Sequence, residues 1–508
     1  MKHGADFLSQ AKKLGSLTLV SSLLGLVREL AIARKFGATH ATDSYLVALS
    51  IPTVLYALFI GSGLNLAVIP QFASRFARDP GSAAKIFSEF LSATALLGAV
   101  VSILILVFPT PLVRIFAPGL ASSILSAQFT RMLSPLFFLL VVAYSLGSLQ
   151  CARNHTPFWG LIGTTQNAVL VAVIFLLGRI LGVQALMVGT ITGAAVALAV
   201  QIALASRAGF AGVWSLPSPR GEAMGTLRTL LPFALAFGVG GDSGTSQADI
   251  FLMRYFASRL APGSITLLTL GNKLMGLPVL LVGSAIGLAL LPSASIQIAE
   301  DDVRGASDRL VQALSYALLL VCPIVVFYLN ISDPIVGMIF GHGALTAVQL
   351  LELGGILRAY TGALAGLTLV YVLASFLAAL RCTRVLIAAG IFTVLLNLAL
   401  MSILVTRYGA KGIALAISVG SLVYCCILLT HLTRHLGWPL LARLLRSGAL
   451  ILAGAFGMYL VLIVTRRLVM LTAVPWMSRD LIPALVALTP YLAWMAWHRG
   501  RFALRESP

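Results

Sequence analysis

The sequence predicts an all-α protein that crosses a membrane many times. Three observations carry that prediction. The 508 residues are 59% hydrophobic and only 10% charged, with a mean hydropathy of +0.99; soluble domains are about a quarter charged. Apolar blocks of about 20 residues recur along the chain, the length a helix needs to cross a bilayer, whereas barrel strands would alternate over about 10 residues. The Lys and Arg residues behind the net charge of +19 sit mainly in short segments between those blocks. That placement reads as topology signalling beside anionic lipid rather than as a nucleic-acid surface.

Fourteen spans follow, at roughly 14–33, 44–65, 90–108, 133–150, 159–178, 184–205, 229–251, 265–292, 310–329, 356–379, 385–405, 410–431, 448–465 and 481–498. An even number puts both termini on one side. With the N-terminus inside, 20 of the 35 basic residues lie on the cytoplasmic side and 12 outside, so the positive-inside rule favours N-in and C-in. The opening "MKHGADFLSQAKKLG" runs into an apolar block with no small-residue cleavage site, and the first span is expected to be retained. The longest connections, near 206–228 and 330–355, hold about 25 residues each, too few for a soluble domain. Function must therefore lie within or between helices. Cys151, Cys322, Cys382, Cys425 and Cys426 fall in or beside apolar blocks without CxxC or Cys/His spacing, so they read as small core residues and no metal is expected.

The chain also repeats itself. "CARNHTPFWGLIGTTQNAVLVAVIFLLGRILGVQAL", from Cys151, parallels "ALRCTRVLIAAGIFTVLLNLALMSILVTRYGAKGIAL", from Ala379: a basic turn, a mid-helix Asn (Asn167, Asn397), an Arg and a Gly-containing turn. "LNLAVIPQF" near Pro70 is echoed by "GLALLPSAS" near Pro292. Two six-helix lobes, 1–215 and 222–440, and an extra helix pair with a tail, 445–508, are expected. Six is even, so the lobes run the same way, as in transporters built from parallel repeats.

Ionisable residues inside spans are costly and usually face the bundle interior or a watery cavity. Arg28 lies about two-thirds along the first span and is the leading candidate for an anion-binding group, since its fork suits phosphate oxygens; a structural pair with an acid such as Asp43 is the alternative. Glu29 follows it but should point elsewhere, because helix neighbours diverge by about 100°. Arg34 and Lys35 are expected at the outer mouth of the first helix, with Asp43 pairing with one of them. Lys273, early in the eighth span, has no acid at i±3 or i±4; it either meets a ligand or snorkels. Asp242, in "VGGDSGTSQAD", together with Asn397 and Ser418, is a candidate cation or proton site; helix-to-helix hydrogen bonding is the alternative. "GVGG" near 238 is no nucleotide loop, since no strand precedes it and no Gly-Lys-Ser/Thr follows. The acidic run "AEDDVR", Ala299–Arg304, reads as solvated charge at a helix N-terminus.

"GLVRELAIARKFGATHATDSYLVALSIPT", "NKLMGLPVLLVGSAIGLALLPSAS" and "ASFLAALRCTRVLIAAGIFTVLLNLAL" together resemble the MurJ/MviN family of lipid II flippases, within the MATE-like exporter superfamily. The resemblance covers essentially the whole chain. It implies alternating access in the bacterial inner membrane, with a cationic cavity between the lobes that carries a polyprenyl-diphosphate glycolipid from the inner to the outer leaflet. Such a cavity replaces the water that a diphosphate cannot give up freely. The diphosphate ligands it implies here are Arg28, Lys273 and Arg34, with Asp43 and Glu29 as gating ion-pair residues. Family members carry bases where Ser22, Ser50, Tyr56 and Ala57 stand, and acids where Gly61 and Gly276 stand.

The expected protein is therefore a transporter and not an enzyme. Its expected substrate is lipid II or, given the missing charges, another lipid-linked glycan such as an exopolysaccharide or O-antigen repeat unit. A cation-coupled drug exporter is the more distant alternative. No cofactor is expected; the membrane potential, Na+ and H+ are the candidate energy sources. Partners are membrane lipids and enzymes of cell-wall or polysaccharide synthesis, with no nucleic acid.

Overall fold

A computed structural model describes residues 20–61, 68–120, 123–153, 157–207, 247–436, 438–470 and 476–502, together with 210, 225, 226 and 228. Among the described residues every regular element is a helix. The first, α1, runs over 20–36. It stops at Gly37, whose φ is +66° and whose missing Cβ would stand 2.7 Å from the Ala344 carbonyl oxygen; an L side chain is excluded there on both counts. Helix α2 (His40–Tyr56) starts at once because Thr39 and Thr42 form a capping box, which satisfies two orphan donors. Its end passes into a π turn, Ala57–Gly61.

Helices α3 (Ile69–Arg78), α4 (Pro80–Val107), α5 (Pro109–Phe116), α6 (Ile124–Met132), α7 (Pro135–Ala152), α8 (Pro157–Leu177) and α9 (Gln184–Arg207) complete the first half. Proline occupies the first turn of α3, α4, α5 and α7, where its missing N–H costs nothing. The second half begins with α10 (Gln247–Ala257) and α11 (Ser264–Pro278), a π turn (Val279–Ser284) and α12 (Ala285–Ala299). It continues with α13 (Val303–Phe340), α14 (Ala347–Ala359), α15 (Thr361–Ala379), α16 (Thr383–Tyr408) and α17 (Ala410–Leu436). Helices α18 (Trp438–Met470) and α19 (Trp476–Phe502) follow.

The helix boundaries repeat. The two π turns begin at 57 and 279. Asp79 caps α4 through the amides of Gly81 and Ser82, and Asp302 caps α13 through the amide of Gly305. The acidic run Ala299–Arg304, expected as solvated charge at a helix N-terminus, thus also supplies the cap. The break between α4 and α5 at Phe108 is matched by a kink inside α13 at Ile331 (φ −126°, ψ 28°). The expected long connection over 330–355 is therefore mostly helix, since α13 extends to Phe340 and a Thr346–Gln349 capping box starts α14.

Ten helices among the described residues are long and apolar enough to span a membrane. They correspond to the third to sixth and eighth to thirteenth expected spans. The first, second and seventh fall on helices that are shorter within the described residues, and the fourteenth on the apolar stretch Ile482–Ala496 of α19. Large apolar side chains point outward along these helices, for example Leu96, Ile103, Leu288, Leu395 and Leu468, as lipid solvation requires.

The chain divides into two compact units. The first gathers the described residues of Met1–Val239, Ile250–Thr266 and Gly343–Leu345; the second gathers those of Gly240–Asp249, Leu267–His342 and Thr346–Pro508. In the second unit α13, α18 and α19 share an apolar core that includes Leu319, Val326, Ile451, Met458, Ala487 and Tyr491. Arg466 of α18 pairs with Asp480 of α19 at 2.7 Å and donates to the carbonyl of Asn330 at 3.1 Å. Tyr491 donates to the Leu319 carbonyl at 2.7 Å. Arg466 thus ties α18 to α13 at the kink, and Tyr491 ties α19 to it about three turns earlier.

Candidate functional site: buried charges around the first helix

Arg28 sits half-buried on α1. Its Nη2 donates to Glu29 Oε1 at 2.6 Å and its Nη1 to Asn167 Oδ1 of α8 at 3.0 Å. The expectation that Glu29 points away from Arg28 is thus corrected. The two Cα–Cβ bonds do diverge, but the arginine stem is long enough to bring the fork back to the carboxylate. Glu29 is 3% exposed. Asn167 uses its other end to donate to the Ser21 carbonyl of α1 at 3.3 Å, so one amide fixes both the helix and its cation.

Asp43 pairs with neither Arg34 nor Lys35. Its carboxylate accepts from the amides of Gly263 (2.6 Å) and Thr266 (2.8 Å) and from the Thr266 hydroxyl (2.7 Å). These are the first groups of α11, where unpaired amides and the helix dipole favour an anion. Asp43 is therefore a helix cap supplied from 220 residues away. Gly263 has φ +96°, and a Cβ there would meet the Ala38 carbonyl oxygen at 2.6 Å. Lys35 donates to the Ile174 carbonyl at 2.6 Å, a basic group at the C-terminal end of α8. Arg34 is exposed, and its carbonyl accepts from the amide of Ala344 at 3.1 Å.

Sequence reasoning missed Arg254. The expected seventh span ends at 251, which leaves Arg254 in the connection that follows. The structure continues α10 to Ala257 and leaves Arg254 8% exposed, within Coulombic range of Glu29, Tyr45 and Arg28. The Tyr45 hydroxyl is held by Thr190 at 2.9 Å. The signal was present in the sequence, as a lone base inside the apolar run "FLMRYF".

The remaining nominated residues lie in the second unit or outside the description. Lys273 is on an exposed face of α11. Asp242 lies outside the described residues. Asn397 donates to Asp249 Oδ1 at 2.8 Å, while its own Oδ1 is buried without a partner. Asp249 was not nominated. Ser418 does not join them: it donates to the Ala359 carbonyl (2.6 Å) and accepts from the Ala363 amide (3.0 Å), stitching the break between α14 and α15. Among the described residues no three His, Cys, Asp or Glu side chains gather as metal ligands do.

The neutral residues near the end of α2 are packed, too. Ser50 is fully buried and donates to the Val47 carbonyl. Tyr56 stacks on Tyr144 with ring centroids 5.0 Å apart, and Tyr144 meets Trp159 at 5.3 Å. An aromatic stack thus stands beside the first π turn.

Comparison with known proteins gives three results. The family model described as lipid II flippase MurJ matches residues 32–483. The probable lipid II flippase MurJ of Thermotoga maritima is 27% identical over 408 residues, 79% of this chain and 80% of that protein. Its counterpart in Bdellovibrio bacteriovorus is 26% identical over 480 residues, 90% of this chain and 89% of that one. Among solved structures, lipid II flippase MurJ in an inward closed conformation superposes with a TM-score of 0.81 at 21% identity, covering 96% of this chain and 99% of that one. An inward-facing multidrug resistance MATE family transporter gives 0.68 at 17% identity, covering 82% and 94%. At these identities the structural likeness is one of fold.

Proposed function

We propose that this chain, which belongs to the lipid II flippase MurJ family, is a multi-pass membrane transporter that carries a polyprenyl-diphosphate glycolipid of the lipid II type from the inner to the outer leaflet by alternating access. The observation that carries this reading is Arg28: a guanidinium in a membrane helix, with one carboxylate and one amide as its partners. A charge in that setting is expensive to keep and is characteristic of a transport pathway. Its planar fork matches a phosphate, and the family relatives are named for a substrate that contains a diphosphate. Arg34 and Lys273 are the further candidate ligands. Glu29 is the anion that holds Arg28 before substrate binds.

The membrane is the bacterial inner membrane, with both termini cytoplasmic, in keeping with the excess of basic residues on that side. Transport is driven by the membrane potential, Na+ or H+. For a cation, the partnerless Oδ1 of Asn397 and the carboxylate of Asp249 are two candidate oxygen ligands among the described residues of the second unit. Partners are membrane lipids and the enzymes that make or use the glycolipid. A second reading, transport of another lipid-linked glycan, is favoured by the neutral Ser50 and the Tyr56–Tyr144 stack at or beside positions where relatives carry bases. Complementation separates the two. Cells depleted of their own lipid II flippase are expected to grow when this chain is expressed; failure of a well-expressed, membrane-inserted chain to restore growth would overturn the lipid II reading.

A further inference from the structure

Among the described residues, Arg254 is a buried cation whose fork meets no carboxylate and no helix end. Arg254 projects from the last turn of α10 beside Leu252, Met253 and Phe256, all of them buried. Its Nε is buried with no hydrogen-bond partner among the described residues. The acid in its field is Glu29, and Glu29 already accepts from Arg28 at 2.6 Å. Tyr45, the other group in range, has its hydroxyl engaged by Thr190. Glu29 therefore bonds one guanidinium and only attracts the other from a longer range.

A buried charge with an incomplete partner set destabilises a fold, and apolar residues of similar size would be tolerated at least as well. Within a membrane protein such a charge marks a ligand path. We propose that Arg254 is a second anion-binding group. It acts with Arg28 on the diphosphate of the lipid-linked substrate, and Glu29 holds the Arg28 fork while the site is empty. Two guanidinium groups match the two phosphates of a diphosphate, one fork to each, whereas a monophosphate needs only one. This inference rests on the flippase reading above and adds to it a residue and a preference: diphosphate over monophosphate.

The test uses the purified full chain in lipid nanodiscs, with undecaprenyl diphosphate and undecaprenyl monophosphate as probes. Arg254→Gln is expected to weaken diphosphate binding by about ten- to a hundredfold and monophosphate binding by less than about threefold. A role as mere counter-charge to Glu29 would lower the melting temperature and shift both lipids equally, and that equal shift would overturn the proposal. If Arg254→Gln does not fold, Arg254→Lys decides. It keeps the charge but loses the planar fork, so the diphosphate preference should fall by about three- to tenfold, and an unchanged preference overturns the proposal. Wild-type protein that prefers the diphosphate yet neither binds lipid II nor supports its appearance outside would sink the flippase reading and leave the role of Arg254 standing.

Discussion

Asn167 and Asn397 lie mid-helix in the matching helices α8 and α16, yet they hold opposite charges. Asn167 offers its oxygen to Arg28 on α1; Asn397 offers its nitrogen to Asp249 on α10. An amide can do either, because it carries an acceptor and two donors. The backbone plan around them repeats: paired π turns, paired Asp caps, a break in one half matched by a kink in the other. The charge does not: Asn167 serves a guanidinium and Asn397 a carboxylate.

The comparison can be broken most severely at Arg28. Arg28→Ala is expected to abolish complementation in flippase-depleted cells while the protein still reaches the membrane, measured by growth and by the amount in the membrane fraction. Next come the asparagines, which should respond unequally to one change. Asn167→Asp keeps an acceptor for Arg28, loses only the 3.3 Å donation to the Ser21 carbonyl and should lower the unfolding midpoint in detergent only slightly, a loss of about 1 kcal/mol. Asn397→Asp removes the donor to Asp249 and sets two buried carboxylates against each other, a loss of about 3–5 kcal/mol that should appear as a large fall in the midpoint. Equal effects would dissolve the distinction between the halves.

Smaller effects test the supports. Asp43→Ala strips the cap from Gly263 and Thr266 and should cost about 1–3 kcal/mol, whereas removing the Arg34 charge should leave the midpoint unaltered, because Asp43 does not pair with it. Ser418→Ala should cost only about 1 kcal/mol and leave any cation dependence of transport intact, since Ser418 binds the backbone between α14 and α15. A changed cation dependence would return Ser418 to the site.

Much of this was legible in the sequence, because apolar blocks, Pro-started helices and the Asn-centred repeat are local patterns. Arg28 was legible for the same reason, as a charge inside such a block. The partners were not. Asp43 meets Gly263 from 220 residues away and Lys35 meets Ile174 from 139, and no local periodicity reports such pairings. Both carry charges that a helix terminus can take up as readily as a neighbouring side chain can. Glu29 was misjudged because backbone geometry was followed without the reach of the arginine stem. Arg254 was lost to a boundary: ending the seventh span at 251 made a buried residue look like a loop charge.

The most direct test of the central claim is the exposure of glycolipid at the cell surface. In cells whose only flippase is this chain, labelled lipid II should be cleaved by an externally added enzyme that attacks its diphosphate, and the cleaved fraction should collapse in Arg28→Ala cells with equal membrane expression. Equal cleavage in wild-type and Arg28→Ala cells would contradict the account.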